Sequence, residues 1–362
     1  MTTRQRIDLL ARAYPGLFPR TELLRLVREQ LGHVDALDRW IARDGKRVKA
    51  IPPRIIYHIC AGNLAISAIT SLAHGLILGA GNIVKLPGIR DGDGTTAREI
   101  SAFIQGLPAA LRGRASTHSS LNEATLSGSN VVIAFGSDGT MASIREKLRV
   151  EQKFIAHGHA VSLLWLSAPG KLTPRQARAC AVDVLTYDQL GCLSPQAIYV
   201  PPRTNIVTLG EKLAQALEME WQAAAEKPAR PLGVAARIAE ARDVAFARGH
   251  RVWLPPSRHL GWTLLFDPNP EFSPSPLHGV IPIRMIAESR LSAALEPVLG
   301  RISTVGLVGG LSSRAEWTFL NLGGVSRFCP AGRMQFPPLT WHHDGRQTLA
   351  ELVTWVDAEG NA

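Results

Sequence analysis

Cysteine is scarce in this 362-residue chain, and its arrangement argues against two common roles. The four cysteines, Cys60, Cys180, Cys192 and Cys329, lie far apart and include no CxxC pair. Structural zinc sites and disulfide frameworks both need several cysteines at characteristic spacings, so the sequence predicts neither. Free thiols of this kind fit a reducing compartment, and the expected location is the cytoplasm.

Long apolar runs are also missing from the sequence. The N-terminus, "MTTRQRIDLLARAYPGLF", has no continuous apolar core and no small-residue cleavage site, which predicts that it is not a secretory signal. The most apolar stretch, "LAISAITSLAHGLILGAG" from Leu64, is interrupted by hydroxyl groups, a histidine and glycines. This composition favours a buried helix over a membrane span.

Acidic residues are fewer than basic ones. Lys and Arg total 40 against 30 Asp and Glu, which gives a formal net charge of +10. The excess favours polyanionic partners such as phosphorylated cofactors, coenzyme A or acidic carrier proteins. The basic residues are scattered, with neither a basic-aromatic stripe nor zinc-finger spacing, so we predict no binding of nucleic acid.

The order of hydrophobic segments predicts an α/β fold. A hydrophobic content of 46% is enough for a large core in one two-part unit or two domains. From Arg54, short β-branched runs alternate with helical segments, and "NVVIAF" followed by "DGTMASIREKL" continues the pattern. Right-handed βαβ crossovers of this kind build a doubly wound parallel sheet. A second series begins with "VSLLWLS" at 161–167, which places a boundary near Gly158.

Two short motifs carry the chemistry. "AFGSDGT" runs from an apolar strand into a helix, where free backbone N–H groups can hold a phosphate, or where Asp138 simply caps the helix. "TYDQLGCLSPQ" places Cys192 between a glycine and a Ser-Pro turn. Gly191 permits close approach and the turn favours exposure, so the loop either presents a nucleophile or simply contains a small apolar residue, whereas the other three cysteines are predicted to be structural.

The order of four motifs resembles the aldehyde dehydrogenase superfamily, and in particular its LuxC-type acyl-CoA reductase (fatty-acid reductase) branch. The motifs are "CAGN" at 60–63, "GAGNIVKLPG" at 79–88, "FGSDG" at 135–139 and "DQLGCLSPQ" at 188–196. The C-terminal "CPAGRMQFPPLTWHHDG" adds to the narrower resemblance. It implies an aldehyde-dehydrogenase-like fold with a nicotinamide cofactor domain at 1–158, a catalytic cysteine domain at 159–329, and a segment at 330–362 that packs back on the core.

The resemblance also implies roles for individual residues. Cys192 matches the nucleophile that captures an acyl group, and Asn63 matches the amide that stabilises the oxyanion together with the Cys192 backbone N–H. Lys85 matches the lysine that binds the adenosine ribose of the cofactor. Gly136 and Ser137 match the turn beside its pyrophosphate.

Departures from the family pattern bear on the mechanism. Aldehyde-oxidising relatives carry a Glu general base, whereas "FIAHGHAVSLL" places His157 at that position and His159 close by. Loss of the base that activates water favours delivery of the acyl group to hydride, while a histidine can still move the thiol proton. The Glu that grips the nicotinamide ribose is also missing, from "SPSPLHGVIPIRMI". His342 and His343 in "HHDG" are adjacent with no third ligand suggested, which favours a structural turn or a helix cap over a metal site.

These features predict an NADPH-dependent reduction of an acyl thioester, carried by coenzyme A or a carrier, to the aldehyde through a Cys192 acyl-enzyme. NADPH is favoured because no carboxylate follows Lys85 until Asp91, and Arg90 is available for a 2′-phosphate. An acyl-activating synthetase is the expected partner. The sequence does not decide whether the chain forms a homo-oligomer. The alternatives are a cysteine acyltransferase or thioesterase that uses Cys192 with His157, and a non-catalytic partner of the synthetase.

Overall fold

The computed structural model describes residues 1–88 and 94–360. The chain divides into two compact units, which are unit 1 (Met1–His159 and Pro338–Ala362) and unit 2 (Ala160–Pro337). The chain thus leaves unit 1 next to the boundary expected near Gly158, and it returns at Pro338. The roles proposed for the segments 1–158, 159–329 and 330–362 stay predictions. No helix in the described part of the chain is both long enough and apolar enough to cross a bilayer.

Unit 1 begins with two amphipathic helices and continues as alternating strands and helices. In chain order these are α1 (Thr3–Ala13), α2 (Arg20–Leu31), β1 (Ile41–Arg43), β2 (Lys46–Ile51), β3 (Ile55–Ile59), α3 (Ala65–Leu78), β4 (Gly81–Lys85), α4 (Thr95–Gly106), α5 (Ala109–Arg112), β5 (Ala115–His118), α6 (Glu123–Gly128), β6 (Val131–Phe135), α7 (Asp138–Arg145) and β7 (Lys153–His157). The alternation from β3 to α7 is the one that the sequence predicts.

Unit 2 has the same kind of alternation. Its elements are β8 (Val161–Leu166), α8 (Pro174–Leu185), β9 (Pro195–Val200), α9 (Ile206–Ala223), α10 (Leu232–Ala247), β10 (Val252–Trp253), β11 (Thr263–Phe266), β12 (Val280–Met285), α11 (Leu291–Ala294), β13 (Ile302–Val308), α12 (Ser313–Asn321) and β14 (Arg327–Pro330), with short 3₁₀ turns at Pro169–Lys171, Thr186–Gln189, Glu288–Arg290 and Glu296–Val298. Back in unit 1, the chain ends with β15 (Thr354–Ala358).

The central sheet of unit 1 is parallel, with strand order β5-β4-β3-β6-β7. This doubly wound order confirms the predicted α/β class. The small antiparallel sheet β1-β2-β15 joins distant parts of the chain, and the sequence analysis did not predict it. Unit 2 contains a seven-stranded sheet in the order β10-β11-β12-β9-β8-β13-β14, which is parallel except at the β10-β11 pair.

Helix α3 is the apolar segment that the sequence assigns to a buried helix, and it lies in the main core of unit 1. Gly75 faces β4 so closely that a Cβ atom there would lie 1.8 Å from Asn82 Oδ1, which explains a glycine inside a helix. Asn82 Oδ1 in turn contacts His58 Nε2 at 3.1 Å, and Ser71 Oγ contacts His58 Nδ1 at 2.8 Å. These contacts fix α3 on the sheet and therefore fix where its first residue lies.

Strands β8 and β9 lie in the middle of the unit 2 sheet and are buried on both faces. All twelve of their residues are buried, and alternate side chains enter two different cores. Leu164 and Ile198 pack into one core, whereas Trp165 and Tyr199 pack into the other. A strand buried on both faces reads as a continuous apolar run, as "VSLLWLS" does. The rigid pair provides the support for the loop that precedes β9.

Candidate active site

The Cys192 loop is a tight turn between the end of α8 and the start of β9. The Ser194 N–H donates to the Gly191 carbonyl oxygen at 3.0 Å, so the turn closes around Cys192 and Leu193. The buried Ser162 hydroxyl on β8 donates to the Cys192 carbonyl oxygen at 2.8 Å and accepts from the Thr304 N–H at 3.2 Å. The backbone of Cys192 is therefore held by a strand of the sheet, while its side chain stays partly exposed.

Three consecutive residues before this loop have left-handed backbone angles. The φ values are 56° at Tyr187, 53° at Asp188 and 61° at Gln189. For residues with a Cβ atom this conformation costs about 1–2 kcal/mol each. Asp188 offsets that cost, because its carboxylate accepts from both terminal nitrogens of Arg230 at 2.7 and 2.8 Å and contacts His278 Nδ1 at 2.5 Å. The approach to Cys192 is thus strained backbone held by an ion-paired network.

Gln189 fastens both sides of the loop to β12. Its side chain is fully buried, and Nε2 donates to the carbonyl oxygens of Pro195 at 2.8 Å and Val280 at 3.2 Å. Its Oε1 accepts from the Gly279 N–H at 2.9 Å. Every polar atom of the amide is used, so this side chain sets the distance between the loop and the strand.

The "GRMQ" part of the C-terminal motif supports the same loop from another direction. Gln335 Nε2 donates to Ser194 Oγ at 2.9 Å and to the Asp183 carbonyl oxygen at 3.1 Å. The Asp183 carboxylate accepts from the N–H groups of Gly332 at 2.5 Å and Met334 at 3.0 Å. Burial raises the pKa of Asp183 to about 6 although these bonds act in the opposite direction. The motif thus connects the end of α8 with the turn that carries the cysteine.

The other three cysteines are buried and chemically protected. Burial raises the pKa of the Cys60 thiol to about 12 and that of Cys329 to about 11, and it raises the pKa of Cys180 as well. Since the thiolate is the reactive form, these thiols are poor nucleophiles near neutral pH. Cys192 is the one cysteine of the four that is not buried.

Three of the residues predicted to bind the cofactor lie at one edge of the unit 1 sheet, together with Asn63, the predicted oxyanion donor. Lys85 is the last residue of β4, Asn63 lies in the loop that follows β3, and Gly136 and Ser137 follow β6. Carboxyl ends of parallel strands share one edge, and ligands of open α/β sheets bind there, where the strand order reverses. In unit 1 the order reverses between β3 and β6. Arg90 and Asp91 lie outside the described residues.

This edge fits a nicotinamide dinucleotide. Ser137 caps α7 by accepting from the Thr140 N–H at 3.3 Å, and residues 137–140 are exposed, so the amide end of the helix is open to a phosphate. Asp138 Oδ1 accepts from the backbone N–H of His159 at 3.4 Å. Residues 86–88, which follow Lys85, carry no carboxylate. The start of α7 thus offers backbone amides that suit a pyrophosphate, and Lys85 places a cation at the same edge of the sheet.

His157, the last residue of β7, lies in a stack of four rings. Its ring stacks on Phe135 with centroids 4.7 Å apart and on His343 at 4.3 Å, and Trp341 stacks on His343 at 4.9 Å. Phe135 is the direct partner of His157 on the neighbouring strand, so sheet register creates the first contact. The stack fixes the plane of the imidazole.

The same histidine is paired with a carboxylate. His157 Nδ1 lies 2.6 Å from Asp344 Oδ2, and 11% of the His157 side chain is exposed. Burial alone would raise the pKa of Asp344, but the hydrogen bond to His157 and the nearby His343, His157 and Arg346 outweigh it and hold the pKa below its usual range. Asp344 is therefore a carboxylate at neutral pH.

Sequence reasoning placed "HHDG" in a structural turn or a helix cap and left it out of the site. The structure has a turn here. His343 and Arg346 form an antiparallel β-bridge, and the two residues between them, Asp344 and Gly345, have φ of 52° and 73°. Positive φ at both positions is the signature of an Asp-Gly type I′ turn. The contact with His157 was missed, since the residues are far apart in sequence. Gln189, Asp188, Arg230 and His278 were missed for the same reason.

Comparisons with known proteins agree with one family. The model of the family described as acyl-CoA reductase (LuxC) matches residues 2–355. A long-chain acyl-protein thioester reductase of Aliivibrio fischeri is 24% identical over 361 residues, which is 95% of this chain and 72% of that protein. The long-chain acyl-protein thioester reductase 2 of Photobacterium leiognathi is 25% identical over 356 residues, again 95% of this chain and 72% of the relative.

Solved structures give the fold. An NAD-dependent aldehyde dehydrogenase from Sinorhizobium meliloti superposes with a TM-score of 0.68 at 12% identity, over 99% of this chain and 82% of that one. Aldehyde dehydrogenase 21 from Physcomitrella patens gives 0.68 at 12% identity, over 99% and 86%. The aldehyde-dehydrogenase-like fold expected from the motifs is confirmed.

Proposed function

The chain belongs to the LuxC family of acyl-CoA reductases, and from that premise we propose that it reduces an acyl thioester to an aldehyde through an acyl-enzyme on Cys192. The observation that carries the assignment is the loop itself. Cys192 is the partly exposed cysteine of the four, and its backbone is held by Ser162 while Gln189 fastens the loop to β12. A thiol in a fixed, accessible turn suits reversible acyl capture.

The first half-reaction transfers the acyl group. The Cys192 sulfur, having lost its proton, attacks the thioester carbonyl carbon and forms a C–S bond, and the C–S bond to the donor thiol then breaks. The departing thiolate takes up one proton, so protons balance. We propose Asn63 as the amide donor that stabilises the oxyanion, and His157 as the group that accepts and returns the proton.

The second half-reaction frees the aldehyde. The chemistry that a reduced nicotinamide would supply, when held by the unit 1 residues named below, is a hydride for the acyl carbon. The resulting thiohemiacetal oxyanion on Cys192 collapses, its C–S bond breaks, and the thiolate leaves as the aldehyde departs. Lys85, Gly136 and Ser137 are the proposed cofactor contacts, and we propose NADPH because residues 86–88 carry no carboxylate to repel a 2′-phosphate.

A thioester is the donor that this chemistry favours. Exchange between two thiols is nearly isoenergetic, whereas a free acid must be activated before a thiol can capture it. An acyl-activating reaction must therefore supply the substrate, and a synthetase that performs it is the proposed partner. Coenzyme A and carrier proteins both present such thioesters, and both are anionic, in keeping with the net charge of +10.

The assignment is tested by intact-mass spectrometry after incubation with short-, medium- and long-chain acyl-CoA. We expect one acyl adduct, which peptide mapping places on Cys192, which is lost in Cys192→Ala and which persists in Cys329→Ala. The adduct survives without reduced cofactor, because His157 replaces the Glu that activates water in oxidising relatives. An adduct on Cys60, Cys180 or Cys329 would show that the nucleophile is another residue. Rapid release of free acid without cofactor would identify a thioesterase instead.

A further inference from the structure

Three histidines and one aspartate meet in unit 1 beside the end of β7, and only one of the histidines has a carboxylate on its ring. Burial lowers the pKa of His343 to about 4 and that of His74 to about 4, so both are neutral at neutral pH. His157 Nδ1 contacts Asp344 Oδ2 at 2.6 Å, whereas His343 Nε2 lies 3.9 Å from Asp344 Oδ1. His157 is therefore the ring of the three that is in hydrogen-bond contact with the carboxylate.

The contact with Asp344 also selects the tautomer of His157. Asp344 is ionised and can only accept, so the proton of the neutral imidazole lies on Nδ1. The lone pair is then on Nε2, which has no hydrogen-bond partner within residues 1–88 and 94–360. The imidazole is stacked on the rings of both Phe135 and His343, which hold its plane. This is the arrangement in which a carboxylate orients a histidine for proton transfer.

A metal site is the competing use of the same atoms, because ligand atoms of His157, His343 and Asp344 lie within 4.8 Å of one another. The ring geometry opposes it. The two imidazoles are stacked with centroids 4.3 Å apart and planes 20° apart. A ligating nitrogen directs its lone pair within the ring plane, so two nearly parallel, stacked rings cannot both direct lone pairs at one ion.

We infer that Asp344 is a positioning residue that holds His157 as the Nδ1-protonated tautomer, with the lone pair of Nε2 available to accept the proton that the proposed reaction moves. The inference rests on the proposed function, since it assigns the acid-base group of that reaction. The proton is the only particle transferred by the pair, and Asp344 stays ionised throughout. The Asp-Gly turn at 343–346 thereby becomes part of the catalytic apparatus.

The kinetic test compares Asp344→Asn with the wild-type protein. The amide keeps the shape of the carboxylate but stabilises neither the tautomer nor the imidazolium, so we expect the rate of Cys192 acylation by acyl-CoA to fall about 10²- to 10⁴-fold. The acyl-CoA concentration at half-maximal rate should change by less than about twofold, because Asp344 is not a binding group. Asp344→Glu should recover part of the rate. Asp357→Asn, which removes an exposed carboxylate paired with Lys46, is the matched control and should acylate normally.

A spectroscopic test does not depend on turnover. In protein labelled with ¹⁵N-histidine, we expect the His157 signals, assigned by their loss in His157→Gln, to show a protonated Nδ1 and an unprotonated Nε2. In Asp344→Asn that pattern should be lost. An Nε2-protonated wild-type ring, or unchanged acylation in Asp344→Asn, would overturn the inference. Stoichiometric Zn²⁺ binding that Asp344→Asn abolishes would also overturn it.

The two tests separate this inference from the proposed function. If the wild-type protein takes up no acyl group from any donor, the proposed function fails, and the tautomer measurement still decides whether Asp344 orients His157. If the wild-type protein acylates normally and Asp344→Asn does so equally well, only the positioning role fails. Asp344→Glu keeps the kinetic test informative in case Asp344→Asn does not fold.

Discussion

At the scale of single residues, the environment of each cysteine decides which one can react. Cys60 and Cys329 have raised pKa values because they are buried, whereas Cys192 lies in a partly exposed turn. The sequence predicted this from Gly191, the Ser-Pro turn and the resemblance of the loop motif to a known family. It could not predict the partner of His157, because Asp344 is far away in sequence and its Asp-Gly motif indicates only a turn.

Lys85 is the residue with the sharpest prediction for the cofactor. A 2′-phosphate at the end of β4 would meet this cation and no carboxylate within residues 86–88. Charge-assisted hydrogen bonds contribute about 1.5–3 kcal/mol each. We therefore expect NADPH to be used more efficiently than NADH, and Lys85→Ala to reduce kcat/KM for NADPH by about tenfold or more while changing that for NADH less.

Steady-state kinetics with both reduced cofactors check this prediction. Lys153→Ala, which removes a lysine from the start of β7 at the opposite edge of the same sheet, is the control and should leave the ratio of the two efficiencies unchanged. Equal efficiency with the two cofactors, or a preference for NADH, would contradict the choice of NADPH. Arg90→Ala tests whether the second predicted cation contributes.

At the scale of elements, the two strand-helix series were predictable and the support of the nucleophile loop was not. Periodicity located β3, β6, β8 and the intervening helices, because a core face imposes a regular pattern on the sequence. Residues 187–189 have left-handed backbone angles but include no glycine, so the sequence contains no signal for this conformation. It exists because tertiary contacts from Arg230, His278 and β12 hold it, and such contacts leave no local pattern.

Gln189 tests whether that support matters for reactivity. Replacing it with Ala removes the hydrogen bonds that its amide makes with the buried Gly279 N–H and with the Pro195 and Val280 carbonyls, so the loop should loosen. We expect Gln189→Ala to slow acylation of Cys192 by about tenfold or more, in proportion to the misplacement of the sulfur. Hydrogen exchange at residues 187–195 should accelerate.

Gln152→Ala is the matched control for Gln189→Ala. Gln152 is also a buried glutamine, whose amide donates to two backbone carbonyls, but it lies in unit 1 at the other end of β7 from His157. It should lower stability by a similar amount and leave the acylation rate unchanged. If both variants acylate at the wild-type rate, the Gln189 contacts are structural only.

At the scale of the whole molecule, the two kinds of comparison establish different things. The solved structures establish the fold, and the family model establishes the family. The solved aldehyde dehydrogenases share the fold at 12% identity, whereas the family match covers residues 2–355. The direction of the proposed reaction depends on particular residues, above all on His157, which we propose takes the place of the general-base Glu. It also depends on the thioester as the substrate class.

The most direct measurement is a single turnover on preformed acyl-enzyme. The protein is acylated with acyl-CoA, freed of excess donor and mixed with NADPH, and the aldehyde, free acid and oxidised cofactor are quantified together. The account predicts one aldehyde and one oxidised cofactor for each Cys192 adduct consumed, with no product from Cys192→Ala. Free acid released at the same rate with and without NADPH, and no cofactor oxidised, would contradict it.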